Sequence, residues 1–234
     1  GLEPDIVWRA TGDSAEINRS PARRPDAFKP TPGGTLASLR ALLAESEIEL
    51  DETMPPMSAG VFGYMGYDTV RLVEHLPNVP EDALGVPDAI MMRPTIIVIF
   101  DTVKDEVTIV TPARPNSRQS ADAAYRAATR RLRSAVDALG GALPHTSETT
   151  AQEIVHPEPV SNTTPHAYMA MVERAKEYVR AGDVFQVVLS QRFSTPFTLP
   201  PFALYRALRR TNPAPFLFHL DFGSFSLVGS SPEI

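Results

Sequence analysis

No cysteine occurs anywhere in the 234 residues. That absence removes disulfides, thiolate zinc sites and thiol catalysis together, and it fits a reducing compartment. No apolar stretch approaches the ~20 residues of a membrane-spanning helix, and no signal-peptide pattern opens the chain. The cytoplasm is therefore the expected compartment, and a membrane is not an expected partner. Acidic residues outnumber basic ones for a formal net charge of −6, and no lysine- or arginine-rich run stands outside a helical pattern. Nucleic acid is then a poor partner, and a small anionic substrate would need a local positive pocket or a metal. The histidines, at 75, 145, 156, 166 and 219, show neither H-x-x-x-H nor H-E-x-x-H spacing, so these residues alone predict no metal site.

What is present is the composition of a folded protein, 43% hydrophobic and 21% charged, with length enough for one large domain or two small ones. Residues 5–10 and 16–18 read as short strands around the turn Thr11-Gly12-Asp13-Ser14. Prolines at 21, 25, 30 and 32 then mark a surface loop. Gly33-Gly34-Thr35 opens a helix with an apolar stripe of Leu36, Leu39, Leu42 and Leu43. Glycines 60, 63 and 66 are spaced G-x-x-G-x-x-G and lack a following Gly-Lys-Ser/Thr. A strand packed closely against neighbouring backbone accounts for them better than a phosphate loop does. Asp68 is placed to cap a helix through Leu76. The clearest hairpin joins residues 95–100 to 107–111, with the apolar run 96–99 as a central strand. A helix from Ser120 to about Leu139 carries Arg126, Arg130, Arg131 and Arg133 on its outer side, a pattern more often solvated than ligand-bearing.

Prolines 144, 157 and 159 among many serines and threonines mark 143–164 as a linker between an amino-terminal region, 1–142, and a second module, 165–234. In that module Thr164 and Pro165 start a helix and Gly182 ends it. A β-branched and aromatic run, 184–193, reads as a largely buried strand containing Gln186. A second helix, an Asn-Pro turn and a further strand follow. The fold class expected is α+β, mostly antiparallel sheets faced by helices, with a doubly wound parallel sheet as the alternative.

Three ordered motifs lie in this last quarter: Gly182-Asp183-Val184-Phe185-Gln186-Val187-Val188-Leu189-Ser190-Gln191-Arg192-Phe193, Asn212-Pro213-Ala214-Pro215-Phe216-Leu217-Phe218 and Gly229-Ser230-Ser231-Pro232-Glu233. Together, and with Gly60 to Asp68 upstream, they resemble the chorismate-utilising enzymes, most closely the anthranilate synthase component I family. The resemblance covers most of the chain. It also implies a fragment: the chain starts Gly1-Leu2-Glu3-Pro4 after the position of the family's Leu-Leu-Glu-Ser motif and stops just past Glu233. Residues 165–234 would then be the beginning of the chorismate-binding catalytic domain.

The resemblance implies an activity: chorismate and ammonia, the latter from a glutamine amidotransferase subunit (component II), become anthranilate and pyruvate in tryptophan biosynthesis. Glu233 matches the family's general acid for the C4 hydroxyl; by itself a Ser-Pro-Glu is a turn or helix start. Gln186 occupies the nucleophile-side position. Superfamily enzymes that add water carry a lysine base there, and ammonia needs no such base, so the amide implies amino transfer. By itself Gln186 reads as a core amide answered by backbone more readily than as a group facing a ligand. Pro215, Phe216 and Leu217 would line a regulatory pocket for tryptophan, the feedback inhibitor, and would equally serve as a turn entering a strand. Mg2+ is the implied cofactor, with its glutamate ligands expected beyond Ile234, and no metal ligand is assigned in these residues. The fragment alone is expected to be inactive. Aminodeoxychorismate synthase component I and a non-catalytic tryptophan-binding or interaction module are the alternatives.

Overall fold

A computed structural model describes residues 1–114, 119–142 and 157–232. The chain forms two compact units, Gly1–Leu143 and Pro144–Ile234. Of the stretch expected as a linker, 143–156 lies outside the described residues, and Val160–Ser161 is a short strand.

The first unit is built on an antiparallel sheet. Strand β1 (Leu2–Thr11) turns through Gly12 into β2 (Ser14–Asn18), and β2 pairs with the two-residue β3 (Lys29–Pro30). Between them the proline-rich loop is anchored by buried Asn18, whose Nδ2 donates to the carbonyls of Arg24 at 2.7 Å and Pro25 at 2.9 Å. Helix α1 (Gly34–Ser46) follows, then β4 (Phe62–Met65), a single short 3-10 stretch at Tyr67–Leu72, β5 (Ala89–Asp101), β6 (Glu106–Val110) and α2 (Ala121–Gly140). The sheet order is β3-β2-β1-β5-β4, with β6 also paired to β5. Every strand pairing among the described residues is antiparallel, which fits the α+β expectation and not a doubly wound sheet.

The hairpin expected at 95–111 forms, with Ile97 opposite Val110 and Asp101 opposite Glu106. Its first strand begins earlier, at Ala89, because residues 89–96 also pair with β1. Pro4 and Pro94 face each other where the β1–β5 register shifts, a place in a sheet that tolerates missing donors. Gly63 explains the glycine spacing. A Cβ there would land on the Ile90 carbonyl oxygen and within 3.0 Å of Met91 Cα, so only glycine lets β4 lie this close to β5.

The core of this unit joins Ile6, Trp8, Ala10, Ala15 and Ala89 of the sheet to Leu39 and Leu42 of α1. Trp8 is 0% exposed, and its indole N–H donates to Ser38 Oγ at 2.8 Å, so the large ring is buried without an orphaned donor. The leucine stripe expected for α1 is thereby corrected. Leu43 is half-exposed, and Thr35, Ser38 and Ser46 take inward positions because they answer polar groups there. The helix expected after Asp68 is also shorter. It stops at Leu72, and Asp68 pairs with Arg71 at 2.6 Å instead of capping.

In the second unit β7 (Val160–Ser161) pairs with β8 (Phe193–Ser194), α3 spans Pro165–Ala181, α4 spans Pro201–Thr211, and β9 (Phe216–Asp221) forms a hairpin with β10 (Ser226–Ser231). The ends of α3 are those the punctuation predicts. Thr164 Oγ1 accepts from the Ala167 amide at 3.2 Å, and Gly182 adopts a left-handed φ of 81° while its N–H caps the last turn. The strand expected over 184–193 reduces to Phe193–Ser194. A strand needs a neighbour to pair its amides, and no described strand runs beside 184–192. Phe185 and Val188 are accordingly exposed.

Candidate functional site

Two of the three chemistry-bearing motifs are brought side by side by one hairpin. Asp221 Oδ1 accepts from the Gly223 amide at 2.9 Å, and Gly223 has a φ of 85°, so the tight Phe222–Phe225 reversal follows from the Asp-x-Gly sequence. Pairing outward from that turn sets Phe218 opposite Gly229, Leu217 opposite Ser230 and Phe216 opposite Ser231. Phe218 lies over Gly229, where a Cβ would fall inside the ring. At the open end Ser230 Oγ donates to the Asn212 carbonyl at 2.7 Å, tying the start of the Asn-Pro motif to the Ser-Ser-Pro motif.

Alternation gives the hairpin two faces. Leu217 and His219 are partly buried on the side of α4, where His219 packs against the rings of Phe202 at 5.5 Å and Tyr205 at 6.2 Å. The opposite face carries Phe216, 47% exposed, and Phe218, 41% exposed. Of the three residues expected in a regulatory pocket, Pro215 and Phe216 are exposed and Leu217 is half-buried. Pro232 is the last described residue, so Glu233 lies outside the described residues.

Gln186 is in exposed coil between α3 and β8, and no hydrogen bond or ring contact ties it to the hairpin. Its segment is anchored further along. Tyr168 Oη of α3 donates to the Leu189 carbonyl at 3.4 Å, and the Arg192 amide donates to Asn162 Oδ1 at 2.9 Å. His219 is a functional candidate that histidine spacing does not reveal: its Nε2 is buried with no hydrogen-bond partner among the described residues. The signal in the sequence is its period-2 placement beside Leu217. Among the described residues no three His, Asp or Glu side chains gather to hold a metal.

With this geometry in place the class is defined: the chain belongs to the chorismate binding enzyme family, whose sequence profile it matches over residues 6–234. Within it, the chain is similar to proteins named anthranilate synthase component 1. The one from Cereibacter sphaeroides is 50% identical over 235 residues, covering 100% of this chain and 47% of that protein. The one from Thermus thermophilus is 41% identical over 197 residues, covering 83% of this chain and 40% of that protein. The crystal structure of anthranilate synthase component I from Streptococcus pneumoniae TIGR4 superposes with a TM-score of 0.75 at 28% identity, over 99% of this chain and 49% of that one. The chain thus spans about half the length of the relatives it matches. No helix among the described residues is long and apolar enough to cross a membrane.

Proposed function

We propose that this chain is part of an anthranilate synthase component I, joining ammonia to chorismate. The observation that supports this best is the β9–β10 hairpin, which pairs Phe216–Phe218 with Gly229–Ser231, while Ser230 Oγ donates to the Asn212 carbonyl. In the proposed reaction ammonia forms a C–N bond at C2 of chorismate, the ring double bonds shift, and the C4–O bond breaks. Hydroxide is a poor leaving group, so the Glu233 carboxylic acid protonates the C4 oxygen and water departs. The C2 proton is then lost, the enolpyruvyl methylene gains one, and pyruvate leaves C3 as the ring becomes aromatic. Gln186 stands on the nucleophile side, where an amide cannot deprotonate water and so leaves the site to ammonia.

An amidotransferase partner releasing ammonia from glutamine, dependence on magnesium, tryptophan feedback through Pro215, Phe216 and Leu217, and a cytoplasmic site of action belong to the same proposal. So does the expectation that the 234 residues alone turn over no chorismate. Exposed Phe185, Val188, Phe216 and Phe218 are the surface we assign to the rest of the family polypeptide.

The test uses the full-length polypeptide with magnesium and ammonium. Glu233→Gln keeps the shape and removes the proton, so kcat should fall by roughly 10²–10⁴-fold with KM for chorismate largely kept. An unchanged kcat sinks the acid assignment. Gln186→Lys should let some isochorismate appear. Release of aminodeoxychorismate in place of anthranilate would move the assignment to the related synthase, and calorimetry showing tryptophan binding without chorismate binding would favour a regulatory module.

A further inference from the structure

The first unit carries an open cavity of about 480 Å³ between β1, β5, residues 112–114 and α2. Three arginines line it in a protein whose net charge is −6. Arg93 is already neutralised. Its side chain is 10% exposed, Nε and Nη2 each donate to Asp5 at 2.8 Å, and Nη1 reaches Glu45 at 3.5 Å. Asp5 is the extra residue at the β1 register shift, a bulge that turns its carboxylate toward Arg93.

Arg114 and Arg131 differ from it, since neither forms a salt bridge among the described residues. Arg114 donates from Nη2 to the Ser46 carbonyl at 3.3 Å, while its Nε is buried with no hydrogen-bond partner among the described residues. Arg131 donates from Nε to Thr111 Oγ1 at 2.9 Å, which orients the guanidinium of a helix otherwise facing solvent. The remaining wall includes Ala124 and Ala127 of α2, which leave room, and the polar side chains of Thr95 and Gln119. Burial foremost, then the Arg93 charge, lowers the Arg114 pKa, against the opposing pull of the Asp5 and Glu45 carboxylates. With Asp5 held by Arg93, the side chains that line the cavity leave two guanidinium charges without a carboxylate of their own.

We infer that Arg114 and Arg131 form a binding site for a small organic dicarboxylate, one carboxylate to each guanidinium, over the floor made by the Arg93–Asp5 pair. Planar guanidinium forks match carboxylates, and a cavity of this size suits a small organic molecule with apolar atoms against the alanine wall. The site uses none of the residues proposed for chemistry, so it stands or falls separately from the proposed function.

Titration of the 234-residue chain with succinate at constant ionic strength, followed by the arginine Nε–H resonances in 1H–15N spectra, tests this. The Arg114 signal, identified by its loss in Arg114→Gln, should shift saturably with succinate and stay in place with neutral succinamide or with chloride. Arg131→Gln, on a half-exposed helix position that leaves the core untouched, should weaken succinate binding roughly tenfold or more. The exposed neighbour Arg130→Gln should leave it unchanged. A non-saturating response, an equal response to succinamide or chloride, unaltered affinity in Arg131→Gln, or inorganic phosphate binding as tightly as succinate would each overturn the assignment.

Discussion

The two units of this chain differ in how far they close on themselves. In the first, a sheet and a helix bury an indole, several aliphatic side chains and a guanidinium, and the Trp8 indole N–H and the Arg93 guanidinium both meet partners. In the second, Ala175 alone is buried among the described residues, although its helix caps and hairpin register are as well formed. Local punctuation and strand pairing therefore do not require a closed core, whereas stability does. The motifs that carry the proposed chemistry lie on the less buried unit, where local opening costs least.

Substitutions in the two units should separate accordingly. Trp8→Ala removes the largest fully buried side chain and should cost about 3–5 kcal/mol in denaturant unfolding followed by far-UV circular dichroism. Glycine replacements give a matched pair. Gly63→Ala drives a methyl into β5 backbone, which cannot move without breaking the sheet, so a loss of about 3 kcal/mol is expected. Gly229→Ala meets only the ring of Phe218, which is partly exposed and free to swing aside, so the loss should be about 1 kcal/mol or less. Equal losses at the two glycines would erase the contrast.

The smallest effect concerns pH. The hydrogen bond from Arg19 holds the Glu45 carboxyl below its usual range, assisted by the Arg19 and Arg93 charges and opposed by desolvation. A lowered folded-state pKa contributes stability above the unfolded value and loses it as pH falls through the folded one. Because the pair is partly exposed, about 1 kcal/mol or less should disappear on acidification. In Glu45→Gln that part of the pH dependence should be absent, as unfolding midpoints at neutral and acid pH would show.

Much of this architecture is legible from local signals. Thr164-Pro165 and Gly182 bound α3 because caps are satisfied by neighbours in sequence, and the 95–111 hairpin follows from an apolar run facing a second strand across a polar turn. The Arg93–Asp5 pair joins residues 88 positions apart, and only the β1–β5 register brings them together, so no sequence pattern marks it. The run 184–193 has strand composition, but composition cannot supply a neighbouring strand, and coil results. For the candidate site, spacing identified the motifs, and the hairpin then shows two of them to be adjacent. The placement of Gln186 in exposed coil could not be read from its apolar surroundings in sequence.

Native-state hydrogen exchange on the 234-residue chain tests the contrast between the units most directly. Amides of β1, β5 and α1 should exchange slowly and together, at the rate set by global opening of the first unit. Those of α3, α4 and residues 184–192 should exchange much faster. Protection of the second unit equal to that of the first would contradict the account.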